Sequence, residues 1–110
     1  MNPTSTHSDP EIHALLQELW QRHLPSTRER LEVLENAVRD SAEGKLDETH
    51  RAEAQSAAHK LSGNLGMFGH KQAGEIAGEI EHLFKASGPD KVSRLNSLMQ
   101  ELRELLAPHM

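Results

Sequence analysis

No cysteine occurs in the 110-residue chain, which excludes disulfides, thiolate nucleophiles and cysteine-held metals and is compatible with a reducing compartment. Tyrosine is absent too, and one Trp and two Phe make up the whole aromatic complement. A core must therefore come from Leu, Ile, Val, Ala and Met. Positive charge is not in excess: 12 Lys and Arg stand against 17 Asp and Glu, for a formal net charge of −5. With the two signs interspersed there is no basic face, so nucleic acid is not expected as a partner. No apolar run approaches the roughly 20 residues of a membrane span, and the polar stretch from Met1 to Asp9 carries no signal-peptide core. A cytoplasmic protein with no membrane contact is the expectation.

What the chain has in abundance is Ala, Leu, Glu, Lys, Arg and Gln, with few β-branched residues, a balance that favours helix nearly everywhere. Its length suffices for one domain with one core. Residues 1–8 read as a disordered N-terminus and 9–107 as a helical domain. Asp9-Pro10-Glu11 supplies an N-cap, a first-turn proline and an acid near the positive helix end. The first helix then carries Ile12, Leu15, Leu16 and Leu19 on one face and is expected to stop before Pro25. Ser26 or Thr27 would cap a second helix with Leu31, Leu34, Ala37 and Val38 inward, fading at Ser41 to Gly44, where glycine suits a C-cap. Asp47 opens a third helix running to about Phe68, and Gly69 marks a joint. The fourth helix, from His70, shows Ala73, Ile76, Ala77, Ile80, Leu83 and Phe84 at i, i+3, i+4, i+7 spacing. Ser87-Gly88-Pro89-Asp90 is a strong turn signal, and a fifth helix carries Val92, Leu95, Met99, Leu102 and Leu106. The fold class expected is all-α: an antiparallel four-helix bundle from helices two to five, with the additional N-terminal helix packed over one end as a lid. The methionines, Trp20 and Phe84 fit core or lid positions.

The third helix contains an anomaly. From Ala57 to Gly69 it holds glycines at 63, 66 and 69, and each glycine inside a helix costs on the order of 1 kcal/mol relative to alanine. On a helical wheel with His59 at zero, Ala54, Ala57, Ala58, Leu61, Leu65 and Phe68 fall between roughly 160° and 260°, an apolar stripe opposite the histidine. Around His59 lie Ala52, Gln55, Ser56, Gly63 and Gly66, nearly all small, with Ser62 somewhat further off. The helix buries one face and presents on the other a single imidazole that another protein can approach closely.

A histidine followed four, seven and ten residues later by glycines, with an aliphatic residue at the second position, resembles the histidine-containing phosphotransfer family of two-component phosphorelays. The motif covers His59 to Gly69, and the helical layout is similar over most of the chain. The resemblance implies that His59 accepts a phosphoryl group and exchanges it with an aspartate of a response-regulator receiver domain. It also implies a receiver or a hybrid sensor histidine kinase as partner, and no cofactor in the chain itself, since Mg²⁺ belongs to the receiver. Autonomous kinase activity is excluded by size: no nucleotide-binding domain fits. Gln55, Gly63 and Gly66 would form the docking surface around the histidine, and a monomer is expected.

Phosphoryl transfer is largely positioning and charge stabilisation, so few supporting groups are needed. On the fourth helix Gly74, Gly78 and Glu81 share one flank, and the glycines allow close approach of a neighbouring helix. Glu81 stands where chemotaxis-kinase relatives place a glutamate that hydrogen-bonds the active histidine. Where most family members carry a lysine, three residues after the histidine, this chain has Ser62. Lys60, about 100° round the wheel, has a stem long enough to swing toward a phosphate. No histidine pair shows the i, i+4 spacing of helical metal ligands, and no metal site is expected. The reading from a different class is a non-catalytic helical adaptor that docks receiver domains without being phosphorylated.

Overall fold

The computed structural model describes residues 4–86 and 91–110, with side chains from residue 10 onward. Four helices carry the chain: α1 (Thr4–Ala42), α2 (Glu48–Met67), α3 (Lys71–Lys85) and α4 (Lys91–Leu106), followed by a 3₁₀ turn (Ala107–His109). Short connections force antiparallel neighbours, and the contacts across each seam show it. Between α2 and α3, Gly66 faces Gly74, Ser62 faces Gly78 and His59 faces Glu81. Between α1 and α4, Arg28 reaches Met110 and Glu35 pairs with Arg103. Each helix packs on its two neighbours in a closed ring, α1 on α2, α2 on α3, α3 on α4 and α4 on α1. The result is an antiparallel four-helix bundle.

The core is aliphatic, as the composition requires. Leu34, Leu61, Leu65, Ile80, Leu95, Leu102 and Leu106 are fully buried, as is Phe84. Alanines line α2 at Ala54, Ala57 and Ala58 and α3 at Ala73 and Ala77, so these helices approach closely. Two loops are cut by glycines at positive φ, Gly44 at 71° and Gly69 at 90°. After each, the chain closes on the helix it leaves: Lys45 N–H donates to Asp40 O at 2.7 Å, and His70 N–H donates to Leu65 O at 2.8 Å. This is the left-handed glycine cap that satisfies the last carbonyls of a helix. Asp47 caps the other end of the first loop, accepting from the His50 backbone N–H at 2.8 Å.

The N-terminal third departs from the sequence expectation. There is no break at Pro25 and no lid: α1 is one helix of 39 residues with Pro10 and Pro25 inside it. At about 1.5 Å per residue such a helix spans roughly 58 Å, and the long axis of the molecule measures 57 Å. An interior proline costs about 3 kcal/mol, but the buried stripe of Trp20, Leu24, Thr27, Leu31 and Leu34 runs across it unbroken. Packing on both sides of Pro25 outweighs the lost hydrogen bond. The proline lies on the exposed side of the helix, where the carbonyl it leaves unpaired can be hydrated. Upstream of Trp20 the helix projects past the bundle, and Ile12, Leu15 and Leu19 are exposed instead of covering an end. Met67 is exposed as well, not a core or lid residue. The helix takes in residues 4–8, which the sequence suggested as part of a disordered lead-in; residues 1–3 and the Ser87–Asp90 turn lie outside the described residues.

The end of the bundle from which α1 projects is closed by rings. Trp20 packs edge-on against Phe68 with centroids 5.5 Å apart, and against His70 at 4.6 Å. Its indole N–H donates to His109 O at 2.9 Å, tying α1 to the C-terminal turn.

Candidate functional site

His59 stands midway along α2 on the flank that meets α3. The apolar stripe on the opposite side of α2 fixes the rotation of the helix, and the close α2–α3 seam fixes what the imidazole meets. A Cβ built on Gly74 would come within 3.1 Å of Ser62 O and 3.2 Å of the Gly66 nitrogen, so a side chain there would require the α2 backbone to give by a few tenths of an ångström. One turn on, a Cβ at Gly78 would lie 3.3 Å from Ser62 Oγ. The next residue along this flank of α3 is Glu81.

There the seam opens and two side chains meet. His59 Nδ1 lies 3.2 Å from Glu81 Oε1 and 3.1 Å from Oε2. An ionised carboxylate only accepts, so Nδ1 carries the proton and Nε2 is left with a free lone pair. The His59 side chain is 74% exposed while that of Glu81 is 15% exposed. Burial pushes the Glu81 carboxyl up, but hydrogen bonding and charge from His59 and Lys85 outweigh it and hold the group below the ordinary carboxylate range. Glu81 is thus a charged, fixed acceptor that orients the ring through Nδ1 and turns Nε2 toward solvent. Lys85, one turn beyond, places Nζ 3.3 Å from Glu81 Oε2.

The remaining residues named from the sequence fall into separate places. Gly63 and Gly66 are exposed, and a Cβ on either would meet nothing within 4 Å, so the surface beside the imidazole is bare. Gln55 is half-buried, and its Oε1 accepts from Arg51 Nη1 at 2.6 Å. Arg51 also grips Glu48 and donates to Phe84 O at 2.9 Å, lashing the start of α2 to the end of α3. Ser62 turns into the helix seam against Gly78 rather than onto the open face. Lys60 lies toward α1, lining a shallow depression with Arg30 and Val33. His59 and Glu81 are therefore brought together; Lys60 and Ser62 sit on opposite sides of them. Lys85 and Arg51 escaped the sequence reading. The i, i+4 spacing of Glu81 and Lys85 was a usable signal for the first; the reach of Arg51 across to α3 had none.

Among the described residues no group of three or more His, Asp or Glu could hold a metal ion, and no helix is long and apolar enough to cross a membrane.

Comparison with known proteins identifies the family. Similarity is found to Protein RcaC of Microchaete diplosiphon, with 35% identity over 75 residues, 68% of this chain and 12% of that protein. The chain thus spans only a small part of that relative. No solved structure matches it. The family model described as Hpt domain matches residues 18–107, from the last turn before Trp20 to the end of α4. With most of its length matched, a four-helix bundle around it and an oriented histidine on α2, this chain belongs to the Hpt domain family.

Proposed function

We propose that the chain is a phosphoryl carrier of a two-component phosphorelay, taking a phosphoryl group on His59 Nε2 and exchanging it with a receiver-domain aspartate. The observation that carries this reading is the pairing of an exposed imidazole with a largely buried carboxylate through Nδ1, which leaves Nε2 outward and nucleophilic. In the transfer, the Nε2 lone pair forms the N–P bond as the acyl P–O bond breaks, and the departing carboxylate keeps the electron pair. The ring gains positive charge, which Glu81 meets through the Nδ1–H it already accepts. In the reverse direction the same contact steadies the ring as leaving group, so the exchange runs both ways.

Among the described residues no group could hold a metal ion to activate a donor, and family membership points to the partner for that: a receiver domain or hybrid kinase that brings its own Mg²⁺. The bare surface at Gly63 and Gly66 supports close docking by such a partner, with Gln55 at its edge. A monomeric, cytoplasmic carrier fits a bundle with no membrane-crossing helix among the described residues.

Incubation of the wild type and His59→Gln with phosphoramidate, followed by intact-mass measurement at neutral to alkaline pH, tests this directly. The expected result is one acid-labile phosphoryl group on the wild type and none on the variant, with stability changed by less than about 0.5 kcal/mol because the residue is on the surface. No label on either protein, alongside a labelled control domain, would return the chain to the adaptor reading.

A further inference from the structure

The negative charge already in place at the site demands an answer. Glu81 presents an ionised carboxylate within 3.2 Å of the His59 ring, and a phosphoryl group on Nε2 would add up to two further negative charges on that ring. Unscreened, that arrangement opposes uptake. The cation expected to help from the sequence, Lys60, lies on the α1 side of α2, and Ser62 is turned into the seam with α3. Across the seam stands Lys85, half-exposed, with Nζ 3.3 Å from Glu81 Oε2.

We propose that Lys85 is the phosphoryl-neutralising residue of this site, moving its ammonium from Glu81 to share the phosphoryl oxygens once His59 is loaded. The inference rests on the phosphoryl-carrier reading and adds to it a residue and a role. Three features support it. Lys85 is on α3, which the Gly74–Gly66 approach locks against α2, so its backbone is fixed relative to His59. Its head is a compact point charge on a flexible stem, free to turn from one oxygen to another. Its present partner is the group that orients the ring: Nζ and His59 Nδ1 meet at the same Glu81 Oε2, so the ammonium is already at the carboxylate that holds the imidazole before any phosphoryl arrives. Lys85 contributes no atom to the transfer: Nε2 gains phosphorus, the donor keeps its bonding pair, and the lysine only offsets charge.

The test is the rate of phosphoramidate labelling of the full chain, followed by intact mass for the wild type, Lys85→Ala, Lys85→Arg and Lys85→Glu, each with its melting temperature. Loss of one exposed charge contact corresponds to roughly fivefold slower uptake for Lys85→Ala. Lys85→Glu should be slower still and Lys85→Arg close to wild type, with melting temperatures unchanged. The deficit of Lys85→Ala should shrink as salt is raised. Repeating the alanine change in a Glu81→Gln background separates direct from indirect action. A neutraliser of the phosphoryl group still matters there; a lysine that merely steadies Glu81 does not, and that result would overturn the proposal. Equal rates for wild type, Lys85→Ala and Lys85→Glu would overturn it too, leaving the carrier reading standing. No label on the wild type would remove both.

Discussion

At the scale of single residues, the protein uses one contact twice. The Glu81 carboxylate selects the tautomer of His59 and meets Lys85 Nζ through the same oxygen, Oε2. A second histidine answers to a different environment. Burial pushes the His70 imidazole down, and the nearby His109, with ring centroids 4.5 Å apart, pushes it the same way. The sign of the consequence follows from which state binds more protons. Below the unfolded value of 6.5 the unfolded chain takes up a proton at residue 70 that the folded chain resists. The contribution of His70 to stability is therefore present above that pH and is lost as pH falls through it toward the lowered folded value. Glu81, whose carboxyl is held down in the fold, loses its contribution in the same direction but in a more acidic range, below 4.5. Melting temperatures recorded across the mildly acidic range should decline, and His70→Gln should flatten the upper part of that decline while leaving the lower part in place.

Between elements, the α2–α3 seam decides the geometry of the site, and its two glycines play unequal parts. At Gly74 an added methyl would press on backbone atoms of Ser62 and Gly66, which cannot turn aside. At Gly78 it would meet only the Ser62 hydroxyl, which can rotate. Gly74→Ala should destabilise the bundle by about 1–3 kcal/mol through overpacking, and should slow labelling of His59 by displacing Glu81. Gly78→Ala should be neutral or stabilising by up to about 1 kcal/mol, since alanine is the better helix former. Urea unfolding of the two variants side by side reads the difference. Much at this scale was legible beforehand: Asp47, Gly44 and Gly69 announce helix ends by local chemistry, and Glu81 shares a flank with the two glycines. What local chemistry could not announce was the fate of Pro25. A proline stops a helix only if nothing else holds the two sides in line, and here the stripe from Trp20 to Leu34 holds them. Lys85 escaped for a related reason: its i, i+4 spacing from Glu81 was visible within α3, but its importance comes from what α2 places opposite that pair.

Taken whole, the molecule is a bundle with a functional flank in its middle and a ring-packed closure at one end. Trp20 is the hub of that closure, buried, touching Phe68 and His70, and hydrogen-bonded to His109 O at 2.9 Å. It joins α1, the α2–α3 joint and the C-terminal turn, three segments far apart in the chain. Trp20→Ala should cost about 3–5 kcal/mol, measured by circular dichroism because the variant loses the chain's sole indole. Ile12, Leu15 and Leu19 stand outside this closure, and their exposure is the direct outcome of a helix that does not turn back.

The openness of the His59 ring also sets a clock. Among the described residues nothing covers this side chain, which is 74% exposed. A phosphoryl group placed there would face bulk water from the moment of arrival until it leaves, so its survival is a chemical half-life and owes nothing to conformational closure. Such a carrier remembers a signal for as long as its N–P bond resists hydrolysis. It then forgets unaided, and the number of nearby charges, more than any motion of the bundle, determines how long the memory lasts.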